Sequence, residues 1–240
     1  METLIWFFVI IFLVAIWGFI SANRLTLKRI HIKIKDWPEK RSRILLLSDL
    51  HTLGRGFRIK QVVKLAQSTD CDFICLTGDL IVRRINQEKR VAETIKKIAN
   101  GRPTFLVWGN NDYNHEIDRQ YLYELLEKEG IVVLLNSRVK LGQLTIGGLG
   151  DPFWLKADLD LTLSENVDLL LSHTPDPIFE VNGRAKLMLA GHTHAGQFCW
   201  FDGSPLLPEL RIKKAFAYGL RNYNNTIIYT TSGIGTTRLP

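Results

Sequence analysis

Five short apolar runs in this chain each stop at residues that can bind a metal ion. The runs are 44–47, 73–76, 105–108, 169–171 and 187–190, and the residues that follow them are Asp49 and His51, Asp79, Asn110, His173, and His192 with His194. Continuous runs of Val, Ile and Leu are typical of strands that are buried on both faces of a parallel sheet. Loops that leave the same end of such a sheet lie close together, so ligands far apart in the sequence can meet in one site. The pattern therefore predicts an α/β domain built around a metal centre.

The first part of the chain has a different character. Residues 4–20 hold no charged side chain, and at about 1.5 Å per residue they are just long enough to cross most of a bilayer core. A cleaved signal peptide is the alternative, with Ser21-Ala22 as a weak cleavage site. The residues before the apolar run include only Glu2 as a charged group, whereas signal peptides begin with Lys or Arg. We therefore predict an uncleaved transmembrane anchor over residues 1–23.

A basic segment follows the predicted anchor. Residues 24–43 contain eight Lys or Arg and two acidic residues, which accounts for most of the net charge of +7. By the positive-inside rule, this charge places the rest of the chain in the cytoplasm. The predicted protein therefore crosses the inner or cytoplasmic membrane once. We expect residues 24–42 to lie near anionic lipid head groups rather than on nucleic acid, although setting the topology explains the charge equally well.

Residues 43–240 are predicted to form one domain. In its first half apolar strands alternate with helices, as in parallel strands joined by crossover helices. Its second half holds short strands between Gly or Asn turns, which predicts a second, mixed sheet packed on the first. The predicted strands are 44–48, 73–77, 104–108, 131–135, 139–141, 144–146, 169–171, 187–189, 216–218 and 227–230, and the predicted helices are 58–68, 87–99 and 117–129. Residues 25–35 are predicted to be an edge strand, because apolar and basic residues alternate there.

The spacing of the candidate ligands agrees with metal binding. Side chains two residues apart share one face of an extended segment, so Asp49 can point with His51, and His192 with His194. Asp79 follows Gly78 and Asn110 follows Gly109, and we expect each glycine to permit a sharp turn that directs the next side chain into a cleft. Carboxylate and imidazole ligands together favour Mn, Fe or Zn, whereas an all-oxygen site would favour Mg or Ca.

These residues lie in motifs that resemble those of the calcineurin-like metallophosphoesterases. The motifs are Ser48-Asp49-Leu50-His51, Gly78-Asp79, Gly109-Asn110-Asn111-Asp112, His173 and Gly191-His192-Thr193-His194. Segments 171–176, 191–197 and 229–236 are most similar to the membrane-associated bacterial branch. The resemblance covers residues 43–240 and implies a four-layer α/β/β/α sandwich of two mixed sheets, here preceded by one transmembrane helix.

The resemblance also implies two divalent metal ions about 3.5–4 Å apart at the strand ends, with manganese favoured over iron and zinc. One ion would be held by Asp49, His51, Asp79 and His194, and the other by Asp79, Asn110, His173 and His192. Asp79 would bridge the two ions. We accordingly expect Asp79, Asn110 and His173 to be catalytic as well as metal-binding, in the hydrolysis of phosphoester or phosphoanhydride bonds.

The chain departs from the family pattern at two positions. In much of the family a histidine follows the asparagine ligand and is assigned the protonation of the leaving oxygen, and a second aspartate orients it; here these positions hold Asn111 and Val82. Such protonation contributes about 10²- to 10⁴-fold when the leaving oxygen is a poor one, and much less for a phosphate that leaves from a pyrophosphate linkage. UDP-2,3-diacylglucosamine hydrolases of this family also lack that histidine and cleave such a linkage.

Three residues are predicted to contact the substrate. Asn111 takes the place of the missing histidine, and Arg83 and Arg84 could bind a second phosphate or could equally be a solvated approach to the next helix. Aromatic residues at 153–154 and 198–201 suggest an apolar rim around the substrate cleft, although such side chains are more often buried under loops.

The predicted function is that of a membrane-anchored hydrolase of a phosphate-containing, lipid-linked substrate such as UDP-2,3-diacylglucosamine. Two alternatives remain open. One is a general phosphodiesterase with soluble substrates, and the other is a metal-binding pseudoenzyme or scaffold.

Overall fold

Two β-sheets form the centre of the chain. The computed structural model describes residues 6–10, 12, 16, 25–52, 54, 56–82, 86–114, 116–154, 156–196 and 214–235. The strands are β1 (Ile44–Leu47), β2 (Phe73–Leu76), β3 (Thr104–Leu106), β4 (Ile131–Val133), β5 (Ser137–Leu141), β6 (Leu144–Gly148), β7 (Val167–Leu171), β8 (Ala185–Ala190), β9 (Gly219–Tyr223) and β10 (Thr226–Thr230). The helices are α1 (Phe57–Ser68), α2 (Glu88–Ala99), α3 (Arg119–Lys128), α4 (Leu159–Thr162) and α5 (Ile178–Val181).

The first sheet contains the strands β1 to β4 in chain order, and all of its neighbours are parallel. Helices α1, α2 and α3 connect consecutive strands of this sheet. The prediction that both sheets are mixed is therefore wrong for the first one. The physical reason is that each connection contains a helix long enough to return the chain to the start of the next strand. All four carboxyl ends consequently lie at one edge.

Helix α2 illustrates how the sequence specifies these connections. Val91, Ile95 and Ile98 follow one another at helical spacing and are buried, so a single stripe of the helix faces the sheet. Asn100 follows the last residue of the helix and has a φ of 48°. Asparagine tolerates this left-handed conformation, which commonly ends helices.

The second sheet is mixed, as predicted, with the strand order β5-β6-β7-β8-β10-β9. Strands β6, β7, β8 and β10 are parallel, and a hairpin adds one antiparallel strand at each edge. The hairpin between β9 and β10 turns at Asn224 and Asn225, whose φ angles are 43° and 64°. Two positive φ values match the tight turn that agrees with the twist of paired strands.

Three apolar cores lie between four layers. The first core joins α1, α2 and α3 to one face of the first sheet. The second core fills the space between the sheets, with Phe73 and Phe105 from the first sheet facing Leu169 and Leu187 from the second. In the third core, Leu170 packs with residues of α5 on the outer face of the second sheet. Leu169 and Leu170 point to opposite sides because side chains alternate along a strand, so the layers follow in the order helices, sheet, sheet, helices.

Most predicted elements are found, with ends that differ by at most two residues. Residues 25–34 do not form the predicted edge strand. Their apolar side chains instead pack on two cores, Leu25 and Leu27 on the first and Ile32 and Ile34 on the second, so the alternation reflects burial without a partner strand. The strand predicted at 216–218 begins at Gly219, after a 3-10 turn.

The predicted anchor over residues 1–23 lies largely outside the described residues. Residues 6–10, 12 and 16 are helical. Within the described part of the chain, no helix combines the length and the apolar composition that crossing a membrane requires.

Candidate metal centre

All seven predicted ligands lie just beyond the carboxyl ends of parallel strands. Asp49 and His51 follow β1, Asp79 follows β2, Asn110 follows β3, His173 follows β7, and His192 and His194 follow β8. These strands belong to both sheets, and the face-to-face packing of the sheets brings their ends together. The ligands therefore meet although they are spread over most of the chain.

The ligand atoms form two groups. One consists of Asp49, His51 and His194, and the other of Asp79, His173 and His192, and within each group the atoms lie within 4.8 Å of one another. Asn110 joins the second group, because its Oδ1 lies 3.0 Å from Nε2 of His173. Each group contains two imidazoles and one carboxylate. The second group also contains the amide oxygen of Asn110.

The carboxylate of Asp79 lies between the two groups. Its Oδ2 is 3.6 Å from Nε2 of His51, and its Oδ1 is 3.5 Å from Nε2 of His173. Burial alone would raise the pKa of Asp79, but the two imidazoles and hydrogen bonds from Asn111 lower it below its ordinary value. One oxygen of an ionised carboxylate therefore faces each group, as a bridging ligand requires.

Asp49 has a buried oxygen with a particular need for a cation. Its Oδ2 accepts hydrogen bonds from the Ser48 hydroxyl at 2.5 Å and from the backbone N–H of His192 at 3.0 Å. Its Oδ1 is buried, has no hydrogen-bond partner among the described residues, and lies 3.5 Å from Nε2 of His194. Burying such an oxygen without a partner is costly, and a metal ion between these atoms would offset that cost. The donors thus fit Mn, Fe or Zn.

His173 is oriented by the backbone. Its Nδ1 lies 2.7 Å from the carbonyl oxygen of Thr77, and because a carbonyl can only accept, Nδ1 must carry the hydrogen. Such a contact fixes the ring and leaves Nε2 for a metal ion. Burial lowers the pKa of His173, but the carboxylates of Asp79, Asp49 and Asp151 outweigh it and raise the pKa to about 9. These carboxylates favour a positive charge at this point, which is what a cation site requires.

Five of the ligands have a backbone conformation that is rare for residues other than glycine. The φ angles are 54° at Asp49, 41° at His51, 53° at Asp79, 70° at His192 and 47° at His194. The prediction that ligands two residues apart share the face of an extended segment is therefore wrong. Their side chains converge because each loop turns through left-handed conformations. Strain of this kind is typical of functional sites and is maintained by the surrounding structure.

The two glycines of the Asp79 and Asn110 motifs have different roles. Gly78 has a φ of 88°, so it supplies the predicted sharp turn. Gly109 has a φ of −101° and a ψ of 173°, which any residue can adopt. A Cβ at Gly109 would collide with the Asp79 carboxylate and lie 2.7 Å from Cε1 of His173. The predicted sharp turn at Gly109 is therefore wrong, and glycine is needed there because the backbone passes close to Asp79 and His173.

The comparison with known proteins decides the family. Residues 42–196 match the family model described as calcineurin-like phosphoesterase. This chain belongs to the calcineurin-like phosphoesterase family. The family model covers more than half of the chain and includes all seven predicted ligands.

Three relatives agree with this assignment to the calcineurin-like phosphoesterases. An uncharacterized metallophosphoesterase of Helicobacter pylori is 29% identical over 229 residues, which cover 87% of this chain and 60% of that protein. This chain therefore spans less than two thirds of the length of that relative. The uncharacterized metallophosphoesterase YkoQ of Bacillus subtilis is 28% identical, with 90% and 87% covered. Phosphodiesterase YaeI of Escherichia coli is 30% identical over 205 residues, with 80% and 75% covered.

A solved structure supports the fold. The crystal structure of TT1561 of Thermus thermophilus has a TM-score of 0.53 and 15% sequence identity, with 81% of this chain and 91% of that chain covered. At this identity the likeness concerns the fold alone, and it agrees with the two packed sheets of this calcineurin-like phosphoesterase.

Asp112 supports the centre in a way that sequence reasoning missed. This buried carboxyl group accepts backbone hydrogen bonds on Oδ1 from Leu80 at 2.9 Å and Ile81 at 3.3 Å, and on Oδ2 from Gly109 at 2.9 Å. It thus ties the segment after β2 to the segment after β3. Burial, followed by the nearby charge of Asp79, raises the pKa of Asp112 to about 7. The signal for it in the sequence is its place at the end of the Gly109-Asn110-Asn111-Asp112 motif.

Asn111 contacts the bridging carboxylate. Its backbone N–H donates to Oδ1 of Asp79 at 2.8 Å, and its side-chain Nδ2 donates to Oδ2 at 2.6 Å. Asn111 therefore fixes the orientation of the Asp79 carboxylate. The predicted contact of Asn111 with the substrate stays a prediction. Arg83 and Arg84 lie outside the described residues, and their predicted role also stays a prediction.

Two aromatic residues lie at the edge of the centre. Phe153 and Trp154 follow β6, and each is 48% exposed. They are therefore not buried under a loop. Trp154 Nε1 donates to the backbone oxygen of Asn110 at 2.9 Å, and the Phe153 ring centroid is 6.4 Å from that of His192. The aromatic side chains of residues 198–201 were also predicted to form an apolar rim, and they lie outside the described residues.

Proposed function

We propose that this protein is a metal-dependent hydrolase of phosphodiester or phosphoanhydride bonds. The observation that carries the proposal is the pair of ligand groups that share the carboxylate of Asp79, one oxygen to each group. Membership of the calcineurin-like phosphoesterases supports it, as does the likeness to phosphodiesterase YaeI. A scaffold with no catalytic role would have no need for two such groups side by side.

The residues that would hold the two cations are those the motifs predict. One ion would be held by Asp49, His51, Asp79 and His194, and the other by Asp79, Asn110, His173 and His192. Bound there, a pair of divalent ions supplies an acidified water as nucleophile and positive charge for the phosphoryl oxygens. We propose manganese as the favoured ion, with iron and zinc as alternatives, because the ligands mix imidazole with oxygen donors.

The chain itself contributes orientation. The Thr77 carbonyl fixes the ring of His173, and the Ser48 hydroxyl holds one oxygen of Asp49 so that the other remains for the cation. Burial lowers the pKa of His51 below its ordinary value, which favours the neutral imidazole that binds metals. These groups hold the ligands in one arrangement before a substrate binds, which is the main contribution of a protein to this type of catalysis.

The leaving group is the point at which this chain differs from much of its family. Asn111 stands where many members have a histidine, and its amide cannot act as a general acid at neutral pH. A poor leaving group, such as an alkoxide, would therefore depart slowly. We propose that the natural substrate has an acidic leaving group, such as a phosphate in a pyrophosphate linkage.

We further propose that the substrate is linked to a lipid, for example UDP-2,3-diacylglucosamine, and that the enzyme acts at the inner or cytoplasmic membrane. The apolar residues 4–20 and the basic residues 24–43 support an anchor with the domain on the cytoplasmic side. The exposed aromatic pair beside the centre supports an apolar portion of the substrate. Membrane lipids are then the immediate partners, without a role for nucleic acid.

Purified full chain loaded with Mn²⁺, Zn²⁺ or Mg²⁺ should be offered a phosphodiester, a phosphomonoester and UDP-2,3-diacylglucosamine. Asp79→Asn should lower kcat by about 100-fold or more, because even the outer partners of metal ligands typically contribute 10- to 100-fold. Asp160→Asn is the matched control, since its carboxylate is 96% exposed. Metal content is measured in the same samples.

Two outcomes would overturn the proposal at different levels. If both metal positions are filled and none of the three substrates is hydrolysed, the enzymatic function is wrong. If soluble diesters are hydrolysed and the lipid-linked substrate is not, the general phosphodiesterase is the better description. For the topology, a reporter fused after Pro240 that is active only outside the cytoplasm would contradict the proposed orientation.

A further inference from the structure

Two large apolar side chains lie exposed beside the metal centre. Phe153 and Trp154 are each 48% exposed, and their rings meet edge to face, with centroids 6.2 Å apart and planes at 70°. Adjacent exposed aromatic side chains are more informative than single ones, because such patches often mark binding surfaces. The pair forms an angled apolar surface.

This surface is continuous with the second group of ligands. The indole N–H of Trp154 donates to the backbone oxygen of Asn110, while the ring of Phe153 lies near the imidazole of His192. A substrate whose phosphate reaches the candidate ligands therefore has these two rings within reach of its adjoining group.

Hydrogen bonds hold the loop that presents the pair. Oδ1 of Asp151 accepts from the backbone N–H of Phe153 at 2.6 Å. Oδ1 of Asn136 accepts from the backbone N–H of Gly150 at 2.7 Å and of Asp158 at 3.0 Å, at the two ends of the loop. The aromatic surface is thus held in place before binding, which lowers the entropic cost of forming a complex.

We propose that Phe153 and Trp154 determine substrate specificity by binding an alkyl or acyl chain next to the phosphate. This inference rests on the proposed hydrolase function. The two rings meet at a steep angle, so they do not offer the parallel faces between which a flat ring would stack. An alkyl chain can instead contact both rings along its length, because the hydrophobic effect depends on the area removed from water and not on direction.

The test uses 4-nitrophenyl phosphodiesters that carry a methyl, a butyl or an octyl group. A fully buried methylene group corresponds to about a fourfold change, and on this half-open surface we expect about twofold. The ratio of kcat/KM for the butyl and methyl esters should therefore be about eight in the native chain. In Phe153→Ala and Trp154→Ala this ratio should fall below about three, whereas Trp154→Phe, which keeps an aromatic ring, should retain most of it.

Leu161→Ala is the matched control. Leu161 is an apolar residue of α4 with 58% exposure, and its substitution should leave the ratio unchanged. If the purification uses detergent, longer esters partition into its micelles and their free concentration falls. This effect is the same for every variant, so comparison with Leu161→Ala removes it from the ratio. A second readout is calorimetric binding of octylphosphonate and methylphosphonate, which does not depend on turnover.

The outcomes separate this inference from the proposed function. Equal kcat/KM for all chain lengths, with the diesters still hydrolysed, would overturn the inference and leave the hydrolase function intact. A chain-length preference that survives both alanine substitutions would also overturn it. Absence of hydrolysis with both metal positions filled would contradict the hydrolase function. The ratio of octylphosphonate to methylphosphonate affinity, expected at about 100 for seven methylene groups at about twofold each and much lower in the two alanine variants, would then decide the inference.

Discussion

Replacing Asp112 with asparagine should weaken the metal centre without removing any metal ligand. The carboxyl group accepts three backbone hydrogen bonds from the segments that follow β2 and β3. Asparagine keeps one oxygen, which can still accept from Leu80 and Ile81. Its NH₂ group would face the backbone N–H of Gly109, which is buried and would lose its acceptor.

The magnitude follows from that single loss. A hydrogen bond to a charged group contributes about 1.5–3 kcal/mol, and a buried donor left without a partner costs about 1–3 kcal/mol. Because the pKa of Asp112 is about 7, the carboxyl group is only partly ionised at neutral pH, and we expect a loss near 2 kcal/mol. For a domain of this size the loss corresponds to a Tm about 4–8 °C lower.

Thermal unfolding followed by circular dichroism measures the stability, and titration calorimetry measures Mn²⁺ affinity. We expect Asp112→Asn to weaken Mn²⁺ binding by about 10- to 100-fold, as substitutions around metal ligands typically do. Asp118→Asn is the control, because Asp118 accepts from the backbone N–H of Tyr121 at the start of α3 and asparagine serves equally well at such positions. A Tm and an affinity equal to those of the native chain would refute the role assigned to Asp112.

Three further outcomes are expected. Removing divalent ions with a chelator should lower the Tm, because ligand at 100 times its Kd stabilises the folded state by about 2.7 kcal/mol; an unchanged calorimetric Tm would speak against a metal centre. Gly109→Ala should abolish tight Mn²⁺ binding in the same titration, since its Cβ would collide with Asp79 and contact His173. Leu122→Ala, in the first core, should cost about 2–5 kcal/mol in urea unfolding while Mn²⁺ affinity stays within about threefold, which separates global packing from the centre.

The convergence of the candidate ligands could be predicted because it follows largely from topology. Buried strands are recognisable as apolar runs, and parallel strands end at the same edge, so Asp49 and Asp79, which follow neighbouring strands, could be placed together without knowledge of any contact. The helices α1 to α3 could also be predicted, because a long segment with apolar residues at helical spacing is rarely anything but a helix.

The local geometry of the ligands could not be predicted in the same way. Asp49 and His51 were expected on extended chain, whereas both have positive φ angles. Such conformations are unfavourable for these residues in isolation, and they persist only because tertiary contacts, such as the hydrogen bond from the Asp49 N–H to the Gly78 carbonyl, fix the backbone. A local pattern carries no information about those contacts.

The edge strand expected at 25–35 shows what the periodicity of a single segment can and cannot predict. Alternating apolar residues predict one buried face, and Leu27 and Ile32 are indeed packed on apolar cores. A strand also needs a partner that supplies backbone hydrogen bonds, and the periodicity of one segment cannot reveal whether such a partner is free. Burial was therefore predictable here and pairing was not.

Asn111 links the architecture of the centre to its chemistry. At this one position the chain lacks the imidazole that could protonate a leaving group, and it gains an amide that donates to Asp79 in addition to the backbone N–H. Both hydrogen bonds favour the ionised carboxylate that faces each group of candidate ligands, so the residue that replaces the histidine also positions the carboxylate of Asp79. Under the proposed function, such a site would bind two cations and would rely on the acidity of the leaving group. The proposed preference for a phosphoanhydride and the observed position of Asp79 would then both follow from the same residue.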